Sequence, residues 1–177
     1  YLKRWLKSPV YVISLGGIFG SDGSLLQIDR LYHLVGSKDT VKPVVALIDS
    51  GKVPKENLHG LYLLLAQIGG PEELTKVLGY AGRDSGVTIP QRGELAQAVE
   101  DAIRTRKVPA PQQVAGLASL LPSDGATANR SAVRIVGLWK VAEYRAAIEA
   151  RAADTHDDAD RAAALEGIVL FADAKAK

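Results

Sequence analysis

Two short stretches near the C-terminus are variants of one another: Ser131–Trp139, "SAVRIVGLW", and Arg161–Val169, "RAAALEGIV". Each carries small or apolar residues at matching positions and a glycine at its seventh place. A displacement of thirty residues sets Ala132 on Ala162, Ile135 on Leu165, Gly137 on Gly167 and Leu138 on Ile168. A displacement of seventy sets Ile135 on Leu65, Leu138 on Ile68, Tyr144 on Leu74 and Ile148 on Leu78. A helix pair cannot bury both of its apolar faces alone, whereas stacking on the next pair buries them. A period of this size therefore commits a chain to stacked helical units. The repeated glycine, which costs a helix about 1 kcal/mol against alanine, makes sense if it lets a neighbouring helix come close.

The rest of the chain extends the pattern. "SDGSLLQIDRLYHLVGS" lines up Leu25, Ile28, Leu31 and Val35, with Asp22 as N-cap and Gly36 as stop. A second helix starts at Asp39, accepts Pro43 near its first turn and ends at Gly51. "KENLHGLYLLLAQIGG" aligns Leu58, Leu61, Leu65 and Ile68, is apolar almost all round, and is therefore expected to be buried. Gly69 and Gly70 end it, and Pro71 opens the next helix, whose stripe is Leu74, Val77, Leu78 and Ala81 before the stop at Gly82. Pro90 opens a helix with Leu95, Val99 and Ile103 inward. Pro109 and Pro111 bracket a turn, and Val114, Leu117 and Leu121 lie on a helix closed by Pro122. Asn129 is the expected cap of a helix burying Val133, Val136 and Trp139. Asp157 or Asp158 caps the last helix, expected to turn Ala162, Leu165, Ile168 and Val169 inward. Period-two alternation is confined to Val10–Ile13.

Charge and composition narrow the function classes. Lys and Arg (22) nearly balance Asp and Glu (20), and the small excess comes from the first fifty residues, so there is no basic stripe of the kind nucleic-acid binders show. The densest basic run, "RTRK" at Arg104–Lys107, reads as a helix end whose cations complement the macrodipole. With no cysteine there can be no disulfide, thiolate zinc site or C-x-x-C-H haem attachment. "YLKRWLK" followed by "PVYVISLGGIFG" imitates a signal peptide, but no A-x-A-like site follows and the run is too short to span a bilayer. A buried helix or strand is expected there. The chain contains no methionine and begins with Tyr1, so a fragment, a processed form or an incompletely traced molecule is expected.

Candidate chemical sites are few. Asp154, His156, Asp157, Asp158 and Asp160 could hold a divalent cation. An EF-hand loop starting at Asp154, however, would place Ala159 where glycine is needed and Leu165 where the bidentate glutamate belongs, so helix capping is the better reading. His33 and His59 have no partner at metal-ligand spacing and read as surface or half-buried histidines. "LGGIFGSDG" matches neither a dinucleotide fingerprint nor a P-loop, and no nucleophile elbow is present. Trp139 falls in the turn between helices, where its ring would seal a layer; ligand stacking is the alternative. No catalytic, cofactor or metal residue is assigned.

The segment "NRSAVRIVGLWKVAEYRAAIEARAADTHDDADRAAALEGIVLFAD" resembles HEAT-type repeats, and Glu56–Gly82 does so less closely. "RAAALEG" after an acidic loop is also similar to the HEAT segments of planctomycete and verrucomicrobial multidomain proteins, which join a dehydrogenase-like propeller to a cytochrome-like haem domain. That second resemblance implies a periplasmic or secreted location and carries over no catalytic residue. The expected fold is all-α, a right-handed α-solenoid of HEAT-like antiparallel helix pairs. Residues 1–21 would form an incomplete first layer. Pairs would lie near 22–51, 56–82, 90–122 and 129–152, with a terminal helix at 158–173.

Three functional classes follow. The leading one is a non-catalytic binding or scaffold module within a larger protein, serving a protein partner or a neighbouring domain. The second is an enzyme on the same scaffold, for which HEAT-like bilin lyases and DNA glycosylases are precedents. The third is a structural spacer in a haem or dehydrogenase chain. In a HEAT-like stack the second helix of each pair lines the concave face. In the pair near 129–152, Tyr144, Ala147, Ile148 and Arg151 are expected to face the layer, with the Arg151 head reaching outward. Ala142, Arg145, Ala146 and Glu149 are left to solvent, and Arg145 and Glu149, one turn apart, form the candidate interaction surface.

Overall fold

The computed structural model describes residues 40–82, 86–114, 116–122, 127–153 and 157–172. These residues form helices and connecting turns, with no strand among them. The helix expected at 22–36, His33, the glycine-rich segment and the Val10–Ile13 alternation lie outside the described residues. The chain divides into two compact units, residues 1–69 and 70–177. The boundary at Gly69–Gly70 assigns one helix of the expected 56–82 pair to each unit.

In the first unit, α1 (Val41–Asp49) buries Val44 and Ile48 and stops where Gly51 takes φ 68°. Helix α2 (Lys55–Ile68) follows Pro54 and buries Leu61, Tyr62, Leu64, Leu65, Ala66 and Ile68, as its nearly continuous apolar surface requires.

The second unit opens with α3 (Pro71–Ala81), where the Gly70 N–H donates to Glu73 Oε2 (2.8 Å) and Leu74, Val77, Leu78 and Ala81 are fully buried. Helix α4 (Ile89–Arg106) starts from a capping box: the Gln91 N–H donates to Thr88 Oγ1 (3.4 Å), and the Thr88 N–H donates to Gln91 Oε1 (3.0 Å). Its inward stripe is Leu95, Val99 and Ile103. The helix expected around Val114 to Leu121 is a single turn, α5 (Leu117–Leu120). The reason lies at Gly116, which takes φ 87° so close to α3 that a methyl group there would overlap the Leu78 carbonyl. A continuous helix cannot pass through that left-handed residue.

Helix α6 (Thr127–Trp139) buries Ala132, Val133, Ile135, Val136 and Trp139. Asn129 is not its cap. It lies within the helix, fully buried, and its Nδ2 donates to the Leu121 carbonyl (2.6 Å), satisfying an oxygen at the end of α5. A short 3₁₀ turn (Ala142–Tyr144) leads into α7 (Arg145–Ala153), of which only Ile148 is buried. Helix α8 (Asp158–Ala172) begins at Asp157, whose Oδ1 accepts from the N–H groups of Ala159 (2.8 Å) and Asp160 (3.0 Å). Its buried residues are Asp160, Ala163, Ala164 and Gly167. Leu165 (51 % exposed) and Val169 (57 %) face solvent, as does Ala162, and Ile168 is half-buried. The expected inward face of α8 is thus corrected by nearly half a turn.

Gly137 and Gly167 account for that rotation. A methyl group on Gly137 would overlap the Gly167 carbonyl, and one on Gly167 would sit 2.9 Å from the Val133 oxygen. The two helices cross backbone to backbone at these glycines, and α8 turns Ala163, Ala164 and Gly167 inward.

Candidate functional site

Helices α4, α6 and α8 lie side by side and run in the same direction. Contacts from one to the next advance together along the chain: Arg130 to Asp160, then Arg134 to Glu166, then Gly137 to Gly167. From α4 to α6 they run from Glu100–Arg134 to Val108–Trp139.

Where the three helices meet, four charged side chains close a ring. Arg104 Nε donates to Glu100 Oε1 (2.9 Å), and Arg104 Nη2 donates to Glu166 Oε1 (2.6 Å). Arg134 Nε donates to Glu166 Oε2 (2.6 Å), and Arg134 Nη1 lies 3.6 Å from Glu100 Oε2. Glu100 is buried, and the other three members are partly exposed. Burial opposes ionisation of Glu166, yet hydrogen bonds from Arg104 and Arg134 hold its carboxyl below the usual range. Arg104 is likewise penalised by burial and still raised above its ordinary value by Glu166 and Glu100. Both shifts favour the charged forms of Arg104 and Glu166 near neutral pH.

A second cluster ties the starts of α6 and α8. Arg130 Nε donates to Asp160 Oδ1 (2.6 Å), and Arg130 Nη2 lies 3.4 Å from Asp157 Oδ2. The Asp157 carboxyl is lowered by the backbone N–H of Asp160 foremost, then by that of Ala159 and by Arg130, with desolvation opposing. Asp157 and Asp160 of the candidate cation loop are thus engaged by a helix end and an arginine, and Asp158 pairs with Arg161 (2.7 Å). Asp154 and His156 lie outside the described residues. His59 is half-buried on α2.

At the shared C-terminal end of α4, α6 and α8 there is an open cleft of ≈ 480 Å³. Its apolar lining includes Ile103, Val108, Leu138, Trp139 and Leu170, and its charged lining is Arg104 and Lys107. Trp139 is 6 % exposed, and its Nε1 donates to the Val108 carbonyl (3.1 Å). The ring therefore seals a layer, as expected, and one part of it also forms a cleft wall.

The candidate interaction surface lies on α7. Arg145 Nε donates to Glu149 Oε1 (2.8 Å), and both side chains are exposed, together with Ala142 and Ala146. The Arg145 guanidinium also stands 5.5 Å from the centroid of the Phe171 ring on α8, a cation–π contact that steadies it. Ile148 is buried and Tyr144 half-buried as expected; Arg151 is half-buried too, but its Nη1 is enclosed rather than reaching outward, and Ala147 is exposed. The short helix packs along one narrow line, and Ala147 falls beyond it.

Sequence reasoning missed the charged ring and the cleft. It read Arg104 as a dipole-complementing helix end. The helix does end there, with Lys107 as its C-cap, but Arg104 is bound to carboxylates on two helices. One signal was available. The thirty-residue displacement that aligns the two repeated stretches pairs Arg130 with Asp160 and Gly137 with Gly167, and both pairs are in contact. Among the described residues, no helix is long and apolar enough to cross a membrane. Comparison with known proteins returns no match: no family model, no curated protein and no solved structure is similar to this chain.

Proposed function

We propose that this chain is a non-catalytic binding or scaffold module, a right-handed α-solenoid of HEAT-like antiparallel helix pairs that works as part of a larger protein. One observation carries the reading. Repeat-equivalent positions on α6 and α8 meet each other, charge to charge at Arg130–Asp160 and glycine to glycine at Gly137–Gly167. Like units stacked on like units produce such a seam. The acidic groups of the second unit support the same reading. Glu100, Glu166, Asp157 and Asp160 are held by arginines, and lowered carboxyls at Glu166 and Asp157 suit fixed ion pairs better than proton transfer near neutral pH.

Such a module acts through exposed helix faces, and α7 offers Arg145 and Glu149 to a protein partner or a neighbouring domain of the same chain. The test places a photo-crosslinking residue at the exposed Ala146 and, as a control, at the exposed Glu94. In cells making the natural protein, Ala146 should yield one adduct of defined mass that Arg145→Glu abolishes. Equal labelling at both positions, or an adduct indifferent to Arg145→Glu, would remove α7 as the binding face. Ile148→Ala, which should cost about 2–5 kcal/mol through a buried cavity, shows what a folding defect looks like in the same assay.

A further inference from the structure

Lys107 and Lys140 end helices α4 and α6 in the left-handed backbone region, each with φ 55°. Glycine takes that conformation without steric cost and is the common residue at such helix ends. Lysine at Lys107 is therefore poorly explained by the backbone. Its surroundings offer a better explanation. Lys107 lines the cleft at the end of α4, α6 and α8, is exposed, and makes no hydrogen bond or ion pair with any described residue. Arg104, the other charged residue of the lining, gives only two of its five N–H donors to Glu100 and Glu166. Among the described residues, no acidic side chain lines the cleft. The apolar lining includes Trp139, Leu138 and Leu170.

We propose that this cleft binds a small amphipathic monocarboxylate, its apolar body against Trp139, Leu138 and Leu170 and its carboxylate on Lys107 and the remaining donors of Arg104. The volume falls within the range of small-molecule sites, which are mostly apolar with a few placed polar groups. The charge of the lining selects the sign of the ligand. Among the described residues of the lining, a cation would meet Lys107 and Arg104 and no carboxylate, whereas an anion gains a charge-assisted hydrogen bond beside an apolar surface. This site is separate from the α7 surface and does not depend on it.

The experiment titrates the whole chain calorimetrically with decanoate and, in parallel, with decyltrimethylammonium, both below micelle-forming concentrations. Decanoate should bind one to one with a submillimolar dissociation constant, and the cation at least about tenfold more weakly. Lys107→Gly should weaken decanoate by at least about tenfold without lowering the melting temperature, because glycine relieves the left-handed backbone. Leu170→Glu, on a different helix, should abolish decanoate binding by placing a carboxylate in the cleft. Equal binding of the two probes would reduce the cleft to nonspecific apolar surface and overturn the proposal. So would unchanged affinity in either variant, or decanoate binding that never saturates.

Discussion

Helices α2 and α8 are nearly equal in length, and both are rich in apolar residues, yet they bury opposite kinds of side chain. Helix α2 buries Leu61, Leu64, Leu65 and Ile68. Helix α8 buries Ala163, Ala164 and Gly167 and leaves Leu165 and Val169 in solvent. The spacing of large apolar residues identifies the inward face of α2 correctly and misplaces that of α8. In α2 burial is driven by apolar area, about 25 cal/mol per Å² removed from water. In α8 it is set by how closely two backbones can approach. Many short dispersion contacts and two arginine–carboxylate clusters take the place of leucine area there.

The sharpest way to break this contrast is a pair of truncations. Leu65→Ala should cost about 2–5 kcal/mol, since a fully buried leucine leaves a cavity. Leu165→Ala should cost no more than about 0.5 kcal/mol, as an exposed surface change. Urea denaturation of both variants measures the difference, and comparable losses would mean that α8 packs by its large residues after all.

The glycine seam is tested by adding atoms. Gly137→Ala should destabilise by about 1–3 kcal/mol, because the new methyl meets backbone, which cannot swing aside. Gly79→Ala, on α3 with open space around the added methyl, should be neutral or stabilise by up to about 1 kcal/mol. If both behave alike in thermal melts, the α6–α8 approach is looser than described.

The charged ring sharpens the comparison through pH. The folded Glu166 carboxyl is lowered, so its contribution is fully present above the ordinary glutamate value near about 4.3. It is lost as pH falls from there through the folded value. Glu166→Gln should therefore cost about 1 kcal/mol at pH 7, a modest figure because solvent screens the partly exposed side chain. The variant should also lose less stability than the parent between roughly pH 5 and 3. Denaturation midpoints across that range decide the matter, and parallel profiles would show that the ring does not couple to folding.

The smallest effect belongs to α7. Arg145→Glu removes an exposed i,i+4 pair and one cation–π contact, and should shift stability by only about 0.5–1 kcal/mol. A loss as large as that of Ile148→Ala would show that α7 is gripped on the face assigned to a partner.

How far the sequence carries depends on whether a signal is local. Helix ends are local. Pro71, Thr88 with Gln91, Gly51 and Asp157 each act within one turn of themselves, and each sits where its chemistry places it. Asn129 and Gly116 mark the limit. An asparagine before an apolar run reads as a cap, but its partner is the Leu121 carbonyl eight residues upstream. The shortness of α5 comes from Leu78 on another helix.

The sequence by itself determined the all-α class, the break between α2 and α3 and the buried stripes of α2, α3 and α4, because helical period and end-capping act over a few residues and leucine burial follows area. Only the tertiary structure decided which face of α8 turns inward, that Gly137 meets Gly167, and that Glu100, Arg104, Arg134 and Glu166 close one ring beside a cleft with a cationic rim. Those outcomes depend on the crossing of helices far apart in the chain, and small residues, which permit the closest crossing, contribute least to any apolar pattern.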